Sequence, residues 1–170
     1  MSSGLDGRNV AITTSIEDMQ YWVFKSEPEC YSIADLEREG RTQWDGVRNY
    51  QVRNLMRDVM CVGDQALFYH SNAGTETGVA GELTIESAAY PDPTQFDPQS
   101  EHPDPRSDPD DPRWLCVDVS FRARWHRIVT LAELKGDPAL ADTPLLARGN
   151  RLSIFPLREA QVTRIRSYLE

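Results

Sequence analysis

Cysteine and histidine are scarce in this chain, three of each among 170 residues, and neither is grouped. Cys30, Cys61 and Cys116 form no C-x-x-C pair, and their odd number excludes a fully paired disulfide framework. His70, His102 and His126 stand apart from any zinc-ligand spacing. The cysteines are therefore expected to be small buried apolar residues, and no metal or other cofactor is expected. H-E-x-x-H, G-x-S-x-G, G-x-x-x-x-G-K-[ST] and G-x-G-x-x-G are all missing, which leaves metal hydrolysis, serine hydrolysis and nucleotide-triphosphate binding without a basis. No run of about 18 apolar residues occurs, so no membrane partner is expected. The first twenty residues lack both the basic start and the apolar stretch of a secretory signal. The expected location is cytoplasmic or otherwise intracellular, and nuclear in a eukaryote.

Acidic residues are abundant instead: 27 against 18 basic ones, for a net charge of -9. A chain of that balance is not a basic coat for nucleic acid, although a local site remains open. The acidity is unevenly spread. Residues 1–20 hold three acids and one base, and 97–113 hold six acids, two bases and five of the eleven prolines. The remaining body carries 18 acids against 15 bases. Closely spaced prolines forbid ladder or helix pairing, so 97–113 reads as an exposed, largely extended loop and a solvated insertion. The chain length suits one domain, expected over 20–170 behind a flexible extension at 1–19.

The hydrophobic period changes several times along the body. Residues 21–25, 65–70, 78–86 and 115–125 are rich in aromatic and branched side chains and read as strands. Ser32 with Asp35, and Thr130 with Glu133, make capping boxes for two short helices, the first stopped by Gly40. Val52, Leu55, Met56 and Val59 recur at helical spacing within 47–60, with Asn49, Arg53 and Arg57 as an adjoining polar stripe. Pro144 starts a short helix, 151–155 reads as a strand closed by Pro156, and an amphipathic helix is expected over 158–168. Strands with helices between only some of them argue for an α+β domain, with a curved, mostly antiparallel sheet or small barrel.

Polar and aromatic residues concentrate in three pieces: Lys25-Ser26-Glu27-Pro28, Trp44-Asp45-Gly46-Val47-Arg48-Asn49-Tyr50 and Phe68-Tyr69-His70-Ser71. Each ends or follows an apolar element, so they would converge at one sheet edge if the strands are neighbours. Structural readings stand beside this one. Trp44 and Tyr50 suit a core rim, Arg48 could pair with Asp45 and Lys25 with Glu27, and His70 suits a hydrogen-bonded strand end. The joint set of Trp, Tyr, Arg, Asn and a Lys-Ser-Glu corner can stack a heterocycle and read its edge.

These same pieces, with Gln51-Val52-Arg53-Asn54, Tyr90-Pro91-Asp92, Gln95-Phe96-Asp97 and Arg151-Leu152-Ser153, resemble the EVE domain family of the PUA-like superfamily, from about residue 20 to 169. The resemblance implies a PUA-like, mostly antiparallel β-barrel with flanking short helices. It also implies a non-enzymatic module that takes a nucleobase, a modified cytosine in DNA or RNA, into an aromatic-lined pocket. By comparison with the related YTH readers, Lys25-Ser26-Glu27 holds the base edge and Trp44 forms a cage wall. Stacking is then expected of Trp44 and Tyr69, edge reading of Ser26, Glu27 and Asn49, and phosphate or loop anchoring of Lys25, Arg48 and Arg53. Tyr50, His70 and Ser71 complete the expected ligand-binding set, and the expected partner is a nucleic acid or modified nucleotide. Glu27 accepts hydrogen bonds only, so it would favour a base with an amino group. The alternative is a small amidohydrolase of the related ASCH type acting on a modified nucleoside through Lys25, Glu27 and His70.

Overall fold

A computed structural model describes residues 19–170. The expectation for residues 1–19 falls outside that range except at Met19. The elements run β1 (Tyr21–Ser26), α1 (Ile33–Glu39), β2 (Arg41–Trp44), α2 (Tyr50–Asp58), β3 (Gln65–His70), β4 (Gly78–Ile85), β5 (Tyr90–Pro91), β6 (Leu115–Thr130), α3 (Leu131–Lys135), β7 (Ile154–Leu157) and α4 (Glu159–Ser167). Single 3-10 turns fill several connections.

Seven strands form one sheet in the order β2-β6-β4-β3-β1-β7, with β5 beside β6. The β1–β3 pair is parallel and every other pair is antiparallel. The fold is thus α+β and mostly antiparallel, as its sequence implies. The barrel is a correction: the pairing is an open path, and no ladder joins β2 to β7 among the described residues. The sheet nevertheless curls. Trp44 on the outer strand β2 reaches Phe24 on β1, with ring centroids 5.1 Å apart. The 16-residue β6 makes this possible, because register shifts along its ladder with β4 add local twist.

Strand alternation explains how the sheet is covered on both sides. Trp22 and Phe24 on β1, and Ala66 and Phe68 on β3, pack with Ile33 and Leu36 of α1 and Val52 and Met56 of α2. Val23, Leu67 and Tyr69 point the other way and pack with Leu134 of α3 and Val162 and Ile165 of α4. On β4 an extra residue opposite β3, Ala80, switches the parity, so Val79 joins the second cluster while Leu83 and Ile85 join the first.

Both capping boxes form, at Ser32 with Asp35 and at Thr130 with Glu133, and Gly40 ends α1. Three local expectations change. Pro156 lies inside β7 rather than closing it, tolerated because β7 is the outer strand of the sheet. Val59 is exposed rather than part of the buried helical face. Among the cysteines only Cys116 is buried, and Cys30 and Cys61 are exposed.

Residues 97–113 are mostly exposed, as expected, but they turn repeatedly where an extended course was expected. Backbone turns close at Asp97–Ser100, Asp104–Ser107 and Asp108–Asp111. The loop is also pinned to the body. Buried Gln95 accepts from Ser107 Oγ at 2.5 Å and from the Trp114 amide at 3.1 Å, and Trp114 Nε1 donates to Asp104 at 2.6 Å. Proline supplies the turns, and the buried amide of Gln95 supplies the anchor that composition cannot reveal.

Candidate functional site

The parallel pairing of β1 with β3 sets their C-terminal ends side by side. Lys25 lies opposite Tyr69 and Ser26 opposite His70, and the Ser71 amide donates to the Ser26 carbonyl at 3.0 Å. The curl of the sheet then brings the end of β2 over this corner. Between them lies a cavity of about 420 Å³. That is within the ~300–1,000 Å³ typical of small-ligand sites. Lys25 and Ser26 line it from β1, Cys30 and Tyr31 from the turn before α1, and Thr42, Gln43 and Trp44 from β2. Asp45, Gly46 and Val47 line it from the following loop, Glu101 and His102 from the proline-rich loop, and Ser153 from the entry to β7.

Trp44 is held by edge-type contacts with three rings: Phe24, Tyr31 at 6.1 Å and Phe68 at 5.6 Å. Such contacts fix the orientation of the indole, which makes it a rigid wall. Directly after it, the loop 45–48 is tied down by Asp92, whose side chain is fully buried. Asp92 accepts from the Gly46 amide at 2.8 Å, Arg48 Nη1 at 3.0 Å, and the Thr94 amide and hydroxyl at 2.7 and 2.6 Å. Burial works to raise this carboxyl, but the Thr94, Gly46 and Arg48 hydrogen bonds outweigh it and hold it below its ordinary 3.8. Arg48 also donates to the His102 carbonyl, so one guanidinium joins loop 45–48 to the proline-rich loop. The His102 ring then packs over Gly46.

Of the eleven expected site residues, Lys25, Ser26 and Trp44 line the cavity. The Lys25 ammonium is directed elsewhere, over the rings of Tyr69 and Phe155 at 5.6 and 5.4 Å. Burial lowers its pKa, and its strand parity with Val23 is a sequence signal for that direction. Ser26 Oγ donates to the Tyr31 carbonyl at 2.7 Å. Glu27 is exposed outside the lining and accepts from Asn72 Nδ2 at 2.7 Å. Tyr69 is buried in the second cluster, where burial pushes its hydroxyl up to about 12, so its ring is not open for stacking. His70 Nε2 accepts from the Ile33 amide at 3.1 Å, and burial first, with the Arg124 charge second, lowers its pKa. The imidazole is therefore a neutral acceptor that secures the start of α1. Only Lys25 of the three residues required for hydrolysis lines the cavity, so Lys25, Glu27 and His70 are not brought together there.

Ser71 lies outside the lining, its amide bonded to the Ser26 carbonyl, and the other four sit on the flank. Arg48 pairs with Asp92, not Asp45. Asn49 caps α2, its Oδ1 accepting from the Val52 amide at 3.1 Å. Tyr50 is half exposed and stacks on Trp114 at 4.7 Å, with the Arg53 guanidinium 4.6 Å from the Tyr50 ring centroid. Glu101, His102, Gln43 and Thr42 were not legible as site residues, because β2 has no apolar alternation and the proline-rich loop returns over a long span. Among the described residues no cluster of His, Cys, Asp or Glu is placed to hold a metal, and no helix is long and apolar enough to cross a membrane.

The EVE domain family model matches residues 20–168. The chain belongs to the EVE domain family. Human thymocyte nuclear protein 1 is 44% identical over 161 residues, covering 83% of this chain and 70% of the human protein. A crystal structure of a Pseudomonas putida protein superposes with a TM-score of 0.85 at 43% identity, covering 88% of this chain and 99% of that one. The human THYN1 protein in complex with DNA containing 5-methylcytosine superposes with a TM-score of 0.82 at 42% identity, over 89% of this chain and 98% of that one. Across that span lie both walls of the cavity, so the EVE domain of this chain includes every element that builds it.

Proposed function

We propose that this chain binds DNA through a modified cytosine taken into the cavity beside Trp44, without chemical change to the base. The observation that carries this reading is the 42% identical human relative bound to 5-methylcytosine DNA, matched over nearly the whole described chain. The cavity supports it physically. A fixed indole provides a face for a heterocycle, while Ser26, Thr42, Gln43 and Asp45 surround it with donors and acceptors. A base enters such a space only when out of its stack, so the substrate is a flipped or single-stranded nucleotide.

The flank takes the adjoining nucleotides in this reading. Tyr50, backed by Trp114, offers a stacking platform for a neighbouring base, with Arg53 toward the backbone. Arg48, Asn49, His70 and Ser71 act by holding the walls, and Lys25, Glu27 and Tyr69 by shaping the strand ends. A nuclear setting accords with the name of the human relative and with a DNA ligand.

The test is fluorescence-anisotropy titration of short strands that differ only in one cytosine, plain or 5-methylated. One buried methyl group is worth about 0.8 kcal/mol, so the methylated strand is expected to bind about fourfold tighter. Affinity should fall as salt rises, in proportion to the phosphates contacted. Equal affinity for both strands, or no binding to either, contradicts the reading.

A further inference from the structure

A protein that takes 5-methylcytosine must refuse thymine, which carries the same 5-methyl group. The two bases differ at the 4-position, where cytosine has an amino donor and thymine a carbonyl acceptor, and at N3. No methyl-shaped space separates them. A fixed acceptor facing the 4-position separates them, and two carboxylates line the cavity, Asp45 and Glu101.

These two differ in how they are held. Gln43 Nε2 donates to Asp45 Oδ2 at 3.0 Å. An ionised carboxylate only accepts, so the Gln43 amide must turn its nitrogen to Asp45 and its oxygen to Tyr90. The Tyr90 hydroxyl lies 3.1 Å from that oxygen and donates to Asp118 Oδ1 at 2.5 Å. Asp118 also accepts from Arg41 Nη2 at 3.0 Å. The Tyr90 hydroxyl has one proton, so with that proton on Asp118 its approach to Gln43 is a contact and not a second donation, and the hydrogen bond that reaches Asp45 is that of Gln43 alone. It occupies Oδ2, and among the described residues no hydrogen bond is made to Oδ1. Both carboxylates are exposed, but Glu101, on the proline-rich loop, has no side-chain hydrogen bond among the described residues to hold it.

The geometry points to Asp45 as the residue that sets specificity, its Oδ1 accepting from the 4-amino group of the bound cytosine and opposing the 4-carbonyl of thymine. This assignment rests on the base-binding reading above. Gln43 is the positioning residue that aims the carboxylate. Glu27, the acceptor that the sequence suggests, lies outside the cavity lining, and Asp45 takes that role within it.

The test compares dissociation constants for strands carrying 5-methylcytosine or thymine at one position, on wild type, Asp45→Asn, Gln43→Leu and Glu101→Gln. Wild type is expected to favour 5-methylcytosine about tenfold or more. Asp45→Asn, whose amide can turn either group to the base, is expected to bring the ratio near one, with thymine binding gained. Gln43→Leu should reduce the ratio in part, and Glu101→Gln should change it less than Asp45→Asn does. Asp45 is exposed, so its variant keeps the fold, and a melting curve verifies this. A ratio preserved in Asp45→Asn, or lost in Glu101→Gln instead, overturns the assignment while leaving base binding intact. No binding of either strand by wild type overturns the base-binding reading, and this assignment with it.

Discussion

Asp92→Ala is expected to destabilise the fold by about 3–5 kcal/mol, the loss typical of removing one partner from a buried ion pair. The carboxylate is fully buried and serves the Gly46 amide, Arg48 and both polar groups of Thr94. Its removal leaves a guanidinium only about one-fifth exposed without its counter-charge. The measurement is the urea midpoint and slope near neutral pH, and a loss below about 1 kcal/mol would place the Asp92 contacts in the class of exposed pairs. The same group gives a sign for acid. Its carboxyl is held below 3.8 in the fold, so it stabilises the protein above that pH, and the contribution is lost as pH falls through the folded pKa. Wild type should therefore lose more stability than Asp92→Ala over that interval.

Gly46→Ala is expected to cost about 1–2 kcal/mol in stability and, beyond that, to reduce oligonucleotide affinity roughly tenfold, the equivalent of one lost hydrogen-bonding contact. Its φ is +81°, a region that L side chains rarely adopt, and a Cβ there would lie 2.6 Å from His102 Cδ2 and 3.0 Å from Nε2. The ring must move, and His102 is a wall of the cavity. Gly63→Ala separates the two effects. Its φ is +91°, but a Cβ meets nothing within 4 Å, so it carries backbone strain alone. Binding reduced by Gly46→Ala and not by Gly63→Ala is the expected result. Equal binding by both variants would mean that the His102 wall does not touch the ligand.

Elements whose residues carry strong local signals were legible in the sequence. β3 spans Gln65–His70, the bounds that its sequence predicts, and the boxes at Ser32 and Thr130 form because each pairs a hydroxyl with an acid three residues on. β2 was not legible, since Arg-Thr-Gln-Trp has no apolar alternation and is a strand only because β6 lies beside it. That single omission hid Thr42 and Gln43 from the candidate site. The proline-rich loop misled for a related reason. Composition describes its exposed residues, but its position is set by Gln95 and by an Arg48 bond spanning 54 residues. The convergence of the β1 and β3 ends is legible where their apolar runs stop, and the direction of Lys25 is legible in its strand parity with Val23. The open sheet in place of a barrel follows from the missing ladder between β2 and β7 among the described residues, a long-range feature to which local patterns are blind.

The most direct measurement is a titration of a 5-methylcytosine strand against wild type, Trp44→Leu and Trp44→Ala, with melting curves for all three. Trp44 is fixed by Phe24, Tyr31 and Phe68 and forms the cavity wall without belonging to the fully buried core, so both variants should fold. Loss of a base–aromatic stack is worth about 1–3 kcal/mol, so affinity should fall at least fivefold in Trp44→Leu and further in Trp44→Ala. Undiminished binding by a folded Trp44→Ala protein would contradict the claim that the base lies in this cavity.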